Sequence, residues 1–564
     1  MKIALFKTMM CAGLTGILLT GCANDNVYDP NAATKKYQEN WEKQFGEIDP
    51  QQTWNTSTSR IAEITIGYSG NYTLKIYTTP PKNEQVQAYL LGRYDVVGDN
   101  SYSLQFDTPS SLTTVYVALI DQDGGQIIKS APIVDGKVNV AFGTDSPSTR
   151  TIHTSGGTIR VTEGYGIQYG KEDCQIPLQI LPEGINNKKK VTENFLYKSI
   201  GKLFYIRPIY FKSNDWVTLG IYYYDENKKI IEKPVWTRDH STNGCWWGNE
   251  ELTWNNLDHT AADTDQLLAQ GASTLWCQSI KIETPYGMSF GFYIQNGNDK
   301  FYSEKRLNET YRGEKQCHAA TFDYQGKRYI TFEDQTNKNG SSDMDLNDLV
   351  CVIGEDMDNS GSPDIVEKDD TEDTDMKYII ACEDLGGSDD FDFNDIVLAI
   401  NHVSGTKTVS VELLAAGGTL PAKVMYNNTT LFEEVHAAFG VSSNDMVNTG
   451  GNITLAPIKS AAIEVPDNFT IATHASKFKI TVSKAGNSNI EISVPDKNGV
   501  TPQAFVVAAP DWEWPKERQN ITERYPKFTE WVSNQSKDDW YNALWDESYE
   551  PKIRKQSQWQ SQLQ

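Results

Sequence analysis

FEDQTNKNGSSDMDLNDLVCVI (332–353) and CEDLGGSDDFDFNDIVLAI (382–400) are two copies of one acidic phrase. Asp343, Asp345, Asn347 and Asp348 align with Asp390, Asp392, Asn394 and Asp395, and the pair Glu333-Asp334 aligns with Glu383-Asp384. In each copy the acidic pair ends one strand. Asp348 or Asp395 then opens the next, an apolar run LVCVI or IVLAI of the kind that forms a buried strand. The phrase is therefore read as a loop between two strands, and the chain as mainly β.

The chemistry of that loop follows from its donors. Each copy gathers five carboxylates and one amide oxygen. The alternation Asp-x-Asp-x-Asn is expected to place three oxygens on one side of an extended segment. A hard divalent cation takes such oxygens, and Ca²⁺ accepts roughly six to eight of them in a flexible cage, which favours it over Mg²⁺. The alternative is an Asx-turn network, in which the same oxygens cap loop N–H groups. Ca²⁺ is the expected cofactor. Its expected ligands are Glu333, Asp334, Asp343, Asp345, Asn347 and Asp348 in one copy, and Glu383, Asp384, Asp390, Asp392, Asn394 and Asp395 in the other.

Outward from the two phrases, the sequence divides. Residues 59–145 alternate apolar and polar over seven short runs, from AEITIGY to VNVAFG, separated by turns such as Gly98-Asp99-Asn100. Such spacing predicts an immunoglobulin-like β-sandwich. Asp121-Gln122-Asp123-Gly124-Gly125 reads as a hairpin turn within it. Residues 150–353 form a second, larger β-domain ending in the first acidic phrase, with strands expected at 203–211, 216–225, 277–284 and 289–296. Residues 354–376 are so acidic that they read as a solvated linker. Within them Asp356, Asp358, Ser360, Gly361 and Glu367 have EF-hand spacing, with Asp364 as an added oxygen donor, although Pro363 interrupts the pattern and no flanking helices are evident. Residues 377–550 form a third, largely β domain with short helices near 431–439 and 525–533, followed by a polar tail, 551–564. The leader, 22–58, carries Tyr37, Trp41 and Phe45 at helical spacing, a stripe expected to dock onto the adjacent sandwich.

The first 21 residues read as an export signal. Lys2 and Lys7 precede a short apolar stretch, Ala12 to Thr20, too short to span a bilayer comfortably. It ends Leu19-Thr20-Gly21-Cys22, which resembles a bacterial lipobox. That resemblance makes Cys22 the lipidated first residue, and Ala23 after it implies sorting to the outer membrane. A net charge of −24 argues against nucleic acid as a partner. Six cysteines remain after Cys11 and Cys22, widely spaced and without CxxC, so zinc is not expected; the export route permits disulfides, with the pairing left open.

No GxSxG, HExxH or phosphate-binding glycine loop is present, and seven scattered histidines suggest no triad. A glycan-active hydrolase would need two carboxylates set apart by environment, and no pair stands out. A non-enzyme is expected. Between strands of the second domain lies a Trp-rich loop in which Trp246, Trp247 and Trp254 offer a ligand platform if exposed, or core filling if not. His240 and His259 lack partners at zinc spacing.

Four segments in order, Cys382–Val397, AAGGTLPA (415–422), EEVHAAFGVSSNDMVNTG (433–450) and WPKERQNITERYPKFTEW (514–531), resemble the LruC-type domain of Bacteroidota surface lipoproteins. Residues 287–353 are similar to a related β-rich domain that ends in the same DxDxND phrase, here with Leu346 where an aromatic is usual. Both are domains of unknown function. The resemblance implies a cell-surface lipoprotein of the outer membrane, held by its lipid, and cation binding at the acidic motif. The expectation is a Ca²⁺-stabilised adhesion or binding module for glycan or protein. The alternative is a structural envelope protein without a soluble ligand.

Overall fold

The computed structural model describes residues 32–81, 86–143, 158–170, 179–187, 191–211, 217–239, 244–247, 274–340, 342–354, 363–368, 372–385, 389–454, 456–484 and 488–542. The export signal with Cys22, the residues His240, Trp254 and His259, and the tail lie outside them.

The fold is β-rich throughout, in several sheets with few short helices. The first domain holds all seven expected strands: β1 (Ser57–Ile66), β2 (Asn71–Tyr77), β3 (Leu90–Val97), β4 (Asn100–Pro109), β5 (Thr114–Ile120), β6 (Gly125–Pro132) and β7 (Lys137–Phe142). One sheet has the order β4-β1-β7, with β1 and β7 parallel; the other runs β6-β5-β2-β3. Period-two burial makes the sandwich: in β7, Val138, Val140 and Phe142 face inward while Lys137, Asn139 and Ala141 are exposed. At the β5–β6 turn Asp121 Oδ1 accepts the N–H groups of Asp123 and Gly125, so this acidic turn caps its own backbone.

The second domain also has two sheets. In one, the strands Gly244–Trp247, Ile230–Asp239, Val217–Tyr224, Ser289–Asn296 and Phe195–Lys198 are neighbours in that order. The other contains, in order, Arg160–Gly170, Thr274–Glu283, Phe204–Phe211, Leu349–Gly354, Lys327–Phe332, Ala319–Tyr324 and Thr192–Glu193. A core of Phe204, Ile206, Leu219, Trp236, Phe290, Phe292 and their neighbours lies between them. Trp246 and Trp247 belong to an edge strand, Trp247 opposite Trp236.

Residues 354–376 are not wholly a solvated linker. Asp364–Lys368 is a strand inserted between Phe195–Lys198 and β6, so the sheets of the first two domains run together. Local basic groups offset its acidity: Lys129 lies 3.1 Å from Asp364, whose other oxygen accepts the Tyr68 hydroxyl. Further on, Lys75 and Tyr77 hold Asp373 at 3.0 and 2.8 Å. Asp364 and Glu367, read as EF-hand positions, are thus strand residues; 355–362 lie outside the described set.

The third domain pairs a five-stranded sheet (Lys459–Glu464, Thr408–Ala415, Ile396–Asn401, Lys377–Cys382, Ala504–Val507) with a four-stranded one (Thr429–Phe432, Ala422–Tyr426, Phe478–Lys484, Ser488–Ile492). The leader helix α1 (Ala32–Phe45) buries the expected stripe Tyr37, Trp41 and Phe45, but on this domain rather than on the adjacent sandwich. Its rings meet Phe391, Phe393 and Phe528. The chain then follows the third domain through a bridge between Asn55 and Val506 before entering β1, and one core runs through the first and third domains.

Candidate metal centres

Both acidic phrases are loops of antiparallel hairpins. In the first, Phe332 pairs with Leu349 at the loop's base; in the second, Cys382 pairs with Ile396. The acidic pair follows directly on the first strand of each hairpin. The last aspartate ties the loop to it: Asp348 Oδ2 accepts the Asp334 N–H at 2.8 Å, and Asp395 Oδ2 accepts the Asp384 N–H at 2.7 Å.

The Asp-x-Asp-x-Asn segment is not extended. Its intervening residues are left-handed, with φ of 56° and 62° at Met344 and Leu346, and 54° and 52° at Phe391 and Phe393. Each such non-glycine residue costs about 1–2 kcal/mol. The conformation persists because both flanks hold it. On the polar side, Asp345 Oδ1 accepts the Asn347 N–H and Asp392 Oδ1 accepts the Asn394 N–H, so the Asx turns are real. On the other side all four intervening side chains are buried, Phe391 and Phe393 against the aromatic stripe of α1. Oxygens and apolar groups still segregate, by αL alternation instead of a strand pleat. Leu346, where an aromatic is usual, is fully buried like Phe393.

A second loop, remote in sequence, docks on each motif. Asn347 donates through Nδ2 to the Leu181 carbonyl at 3.0 Å, and the Gly184 N–H donates to Asp345 Oδ2 at 2.9 Å. Asn394 donates to the Pro515 carbonyl at 3.1 Å, and the Arg518 N–H donates to Asp392 Oδ2 at 2.7 Å. Gly417 and Gly418 cover the second centre. A Cβ on Gly418 would stand 2.4 Å from Asp384 Oδ2 and 3.0 Å from Asp395 Oδ1, so only glycine fits over these carboxylates without a shift.

The acids converge. Ligand oxygens of Glu383, Asp390 and Asp392 lie within 4.8 Å of one another, as do those of Glu183, Asp343 and Asp345. Burial first, then the charges of Asp343 and Asp345, push Glu333 up to about 7. Burial and Asp390 push Asp392 up to about 8, and burial followed by Asp343 raises Asp345 to about 6. Asp348, Glu383 and Asp395 are raised too, burial leading in each case. Glu333 Oε2, Asn394 Oδ1 and Glu517 Oε2 are buried without a hydrogen-bond partner. Buried polar atoms are rarely left so, and an all-oxygen set with unused lone pairs suits a hard cation. The residues present therefore fit Ca²⁺: Asp343 and Asp345, with Glu333 buried beside them, would hold it in one centre, and Glu383, Asp390 and Asp392 in the other. Asp334, Asp348, Asp384 and Asp395 sit at the hairpin base, while Asn347 and Asn394 each use their amide N–H on a carbonyl.

The sequence reading missed Glu183 and Glu517. Glu517 lies inside the quoted segment WPKERQNITERYPKFTEW, whereas nothing local marks Glu183. Elsewhere, Cys317, Cys351 and Cys382 are buried thiols.

No curated protein matches the chain. Among solved structures, the Streptomyces avermitilis alpha-L-rhamnosidase complexed with L-rhamnose aligns at 8% identity and a TM-score of 0.11, over 80% of this chain and 41% of that one. At that score the likeness carries no argument, and the chain spans less than half of that enzyme. Residues 458–541 match the model of a domain of unknown function, DUF4842, a stretch of the third domain that includes the Glu517 loop but not the acidic hairpin.

Proposed function

We propose that this protein is a surface lipoprotein of the outer membrane, anchored through Cys22, whose β-domains form a Ca²⁺-stabilised, non-catalytic binding or adhesion module. Glu333 carries the metal part of the reading. This carboxylate is buried beside Asp343 and Asp345, and its Oε2 meets no donor. Calcium would supply the missing positive charge and hold the two arms of each hairpin loop together. The LruC-like segments and the lipobox-like Cys22 support the location. The choice of a binding module over a structural envelope protein rests on the tryptophans of the second domain, Trp246 and Trp247 on its edge strand, with glycan or protein as ligand.

The test is a thermal melt of soluble residues 23–564 in EDTA, then with millimolar Ca²⁺ or Mg²⁺. Each filled site adds about 2.7 kcal/mol when the free ion is a hundredfold above Kd. A Ca²⁺-selective rise in Tm is expected; equal melting in all three conditions would overturn the metal reading. Fractionation tests the anchor separately. Cys22→Ala should move the full-length chain out of the membrane fraction, and unchanged partitioning would refute the lipobox.

A further inference from the structure

We infer that each acidic centre is closed by a glutamate from a distant loop, Glu183 in the first and Glu517 in the second, and that a bound divalent cation fastens that loop to the hairpin. The inference rests on the reading of the hairpins as cation sites, and adds to it two ligands and a consequence for chain order.

The two loops share almost no sequence: Leu181-Pro182-Glu183-Gly184 against Pro515-Lys516-Glu517-Arg518. They dock identically. In each, the carbonyl of the first residue takes the amide of the motif's asparagine, at 3.0 and 3.1 Å. The N–H of the fourth residue goes to Oδ2 of the motif's middle aspartate, at 2.9 and 2.7 Å. Between these fixed points the third residue is glutamate both times. Each loop also sends an asparagine amide to a motif carbonyl, Asn187 to Asp345 and Asn520 to Asp390. Carbonyl and N–H positions need no particular side chain, so the common glutamate calls for a reason of its own.

The side chains supply one. A Glu183 oxygen lies within 4.8 Å of ligand oxygens of both Asp343 and Asp345. The Arg518 N–H on Asp392 and the Pro515 carbonyl on Asn394 fix the backbone on both sides of Glu517 against the motif. Glu517 Oε2 is buried and accepts no hydrogen bond. The Arg518 guanidinium stands 4.0 Å from Glu517 and is mostly exposed. A sixth carboxylate brought to five adds repulsion, which a cation among them would relieve. Glu333 in the first centre, buried with Oε2 unpartnered, and Asn394 in the second, buried with Oδ1 unpartnered, point the same way independently.

A cation held so would join chain segments 126 residues apart in the second centre and 161 apart in the first. The Glu517 loop leads directly into the short helices Ile521–Arg524 and Phe528–Ser533, whose Phe528 and Trp531 are core residues. Occupancy of the second centre would thus order the C-terminal part of its domain.

Calcium titration calorimetry on residues 23–564, with Glu183→Gln, Glu517→Gln and the double variant, tests this. Each single variant should weaken one class of site about tenfold or more and leave the other unchanged, and the double variant should weaken both, a loss in the range seen when groups around a metal are altered. Hydrogen exchange on the unmodified protein gives a second measurement: Ca²⁺ should slow the amides of Gly184 and Arg518. Wild-type affinity in both single variants, or loop exchange indifferent to Ca²⁺, would overturn the inference while leaving the hairpins as cation sites. Absence of any Ca²⁺ binding by the wild type would overturn both.

Discussion

Trp41→Ala is expected to cost about 3 kcal/mol or more, within the 3–5 kcal/mol span for deleting a buried aromatic. Trp41 is fully buried on α1 and is the hub of a ring cluster. Its ring centroid lies 4.4 Å from Phe45, 5.4 Å from Trp54, 5.6 Å from Phe391 and 6.3 Å from Phe393. It therefore touches both ends of the leader, Phe45 on its own helix and Trp54 beyond it, and the apolar back of the second acidic motif at once. Its Nε1 is buried without an acceptor, so truncation also removes an unsatisfied donor, which places the loss at the low end of the span. Urea unfolding should show a lower midpoint with an unchanged slope. Lys36→Ala, on the exposed face of the same helix, should stay within about 0.5 kcal/mol. A Trp41 loss under about 1 kcal/mol would mean that α1 is not seated on the third domain in solution.

That helix shows where sequence reasoning stops. The i, i+4, i+8 stripe of Tyr37, Trp41 and Phe45 was legible because helix periodicity is local. Its docking partner was not, because Phe391 and Phe393 become available only once the acidic motif folds with its oxygens on the opposite side. The seven strands of the first sandwich were legible for the same reason: one face buried and one wet leaves a period of two. The strand Asp364–Lys368 escaped because the charge of its Asp364 is met by Lys129, far away in sequence. In the acidic motifs the oxygen donors could be read, but not their backbone. Alternating αL residues look like strand alternation in sequence, since both have a repeat of two. Glu183 was invisible, because one glutamate in a polar stretch carries no signal until its loop docks.

Asn394→Asp separates two accounts of the second motif. Counting ligands alone, an added carboxylate should strengthen a Ca²⁺ site. The geometry predicts the reverse for the metal-free protein. Asn394 is fully buried, and its amide N–H donates to the Pro515 carbonyl at 3.1 Å. Aspartate has no such donor when ionised, so it would turn an oxygen toward that carbonyl and leave both acceptors facing each other. It would also add charge beside Asp392 and Asp395, whose carboxyls burial and neighbouring acids already hold in the protonated direction. An uncompensated buried charge of this kind costs about 3–5 kcal/mol. The Glu517 loop hangs from this same amide, so the variant should also release residues 515–518. In EDTA, denaturant unfolding should show the full loss, and saturating Ca²⁺ should recover part of it by neutralising the new charge without restoring the tether to Pro515. Wild-type stability in EDTA would show that the amide is not what holds the loop. A variant with tighter Ca²⁺ binding and no loss of stability would establish Asn394 as a ligand in the ordinary sense, and the docking of the two loops would then need another cause.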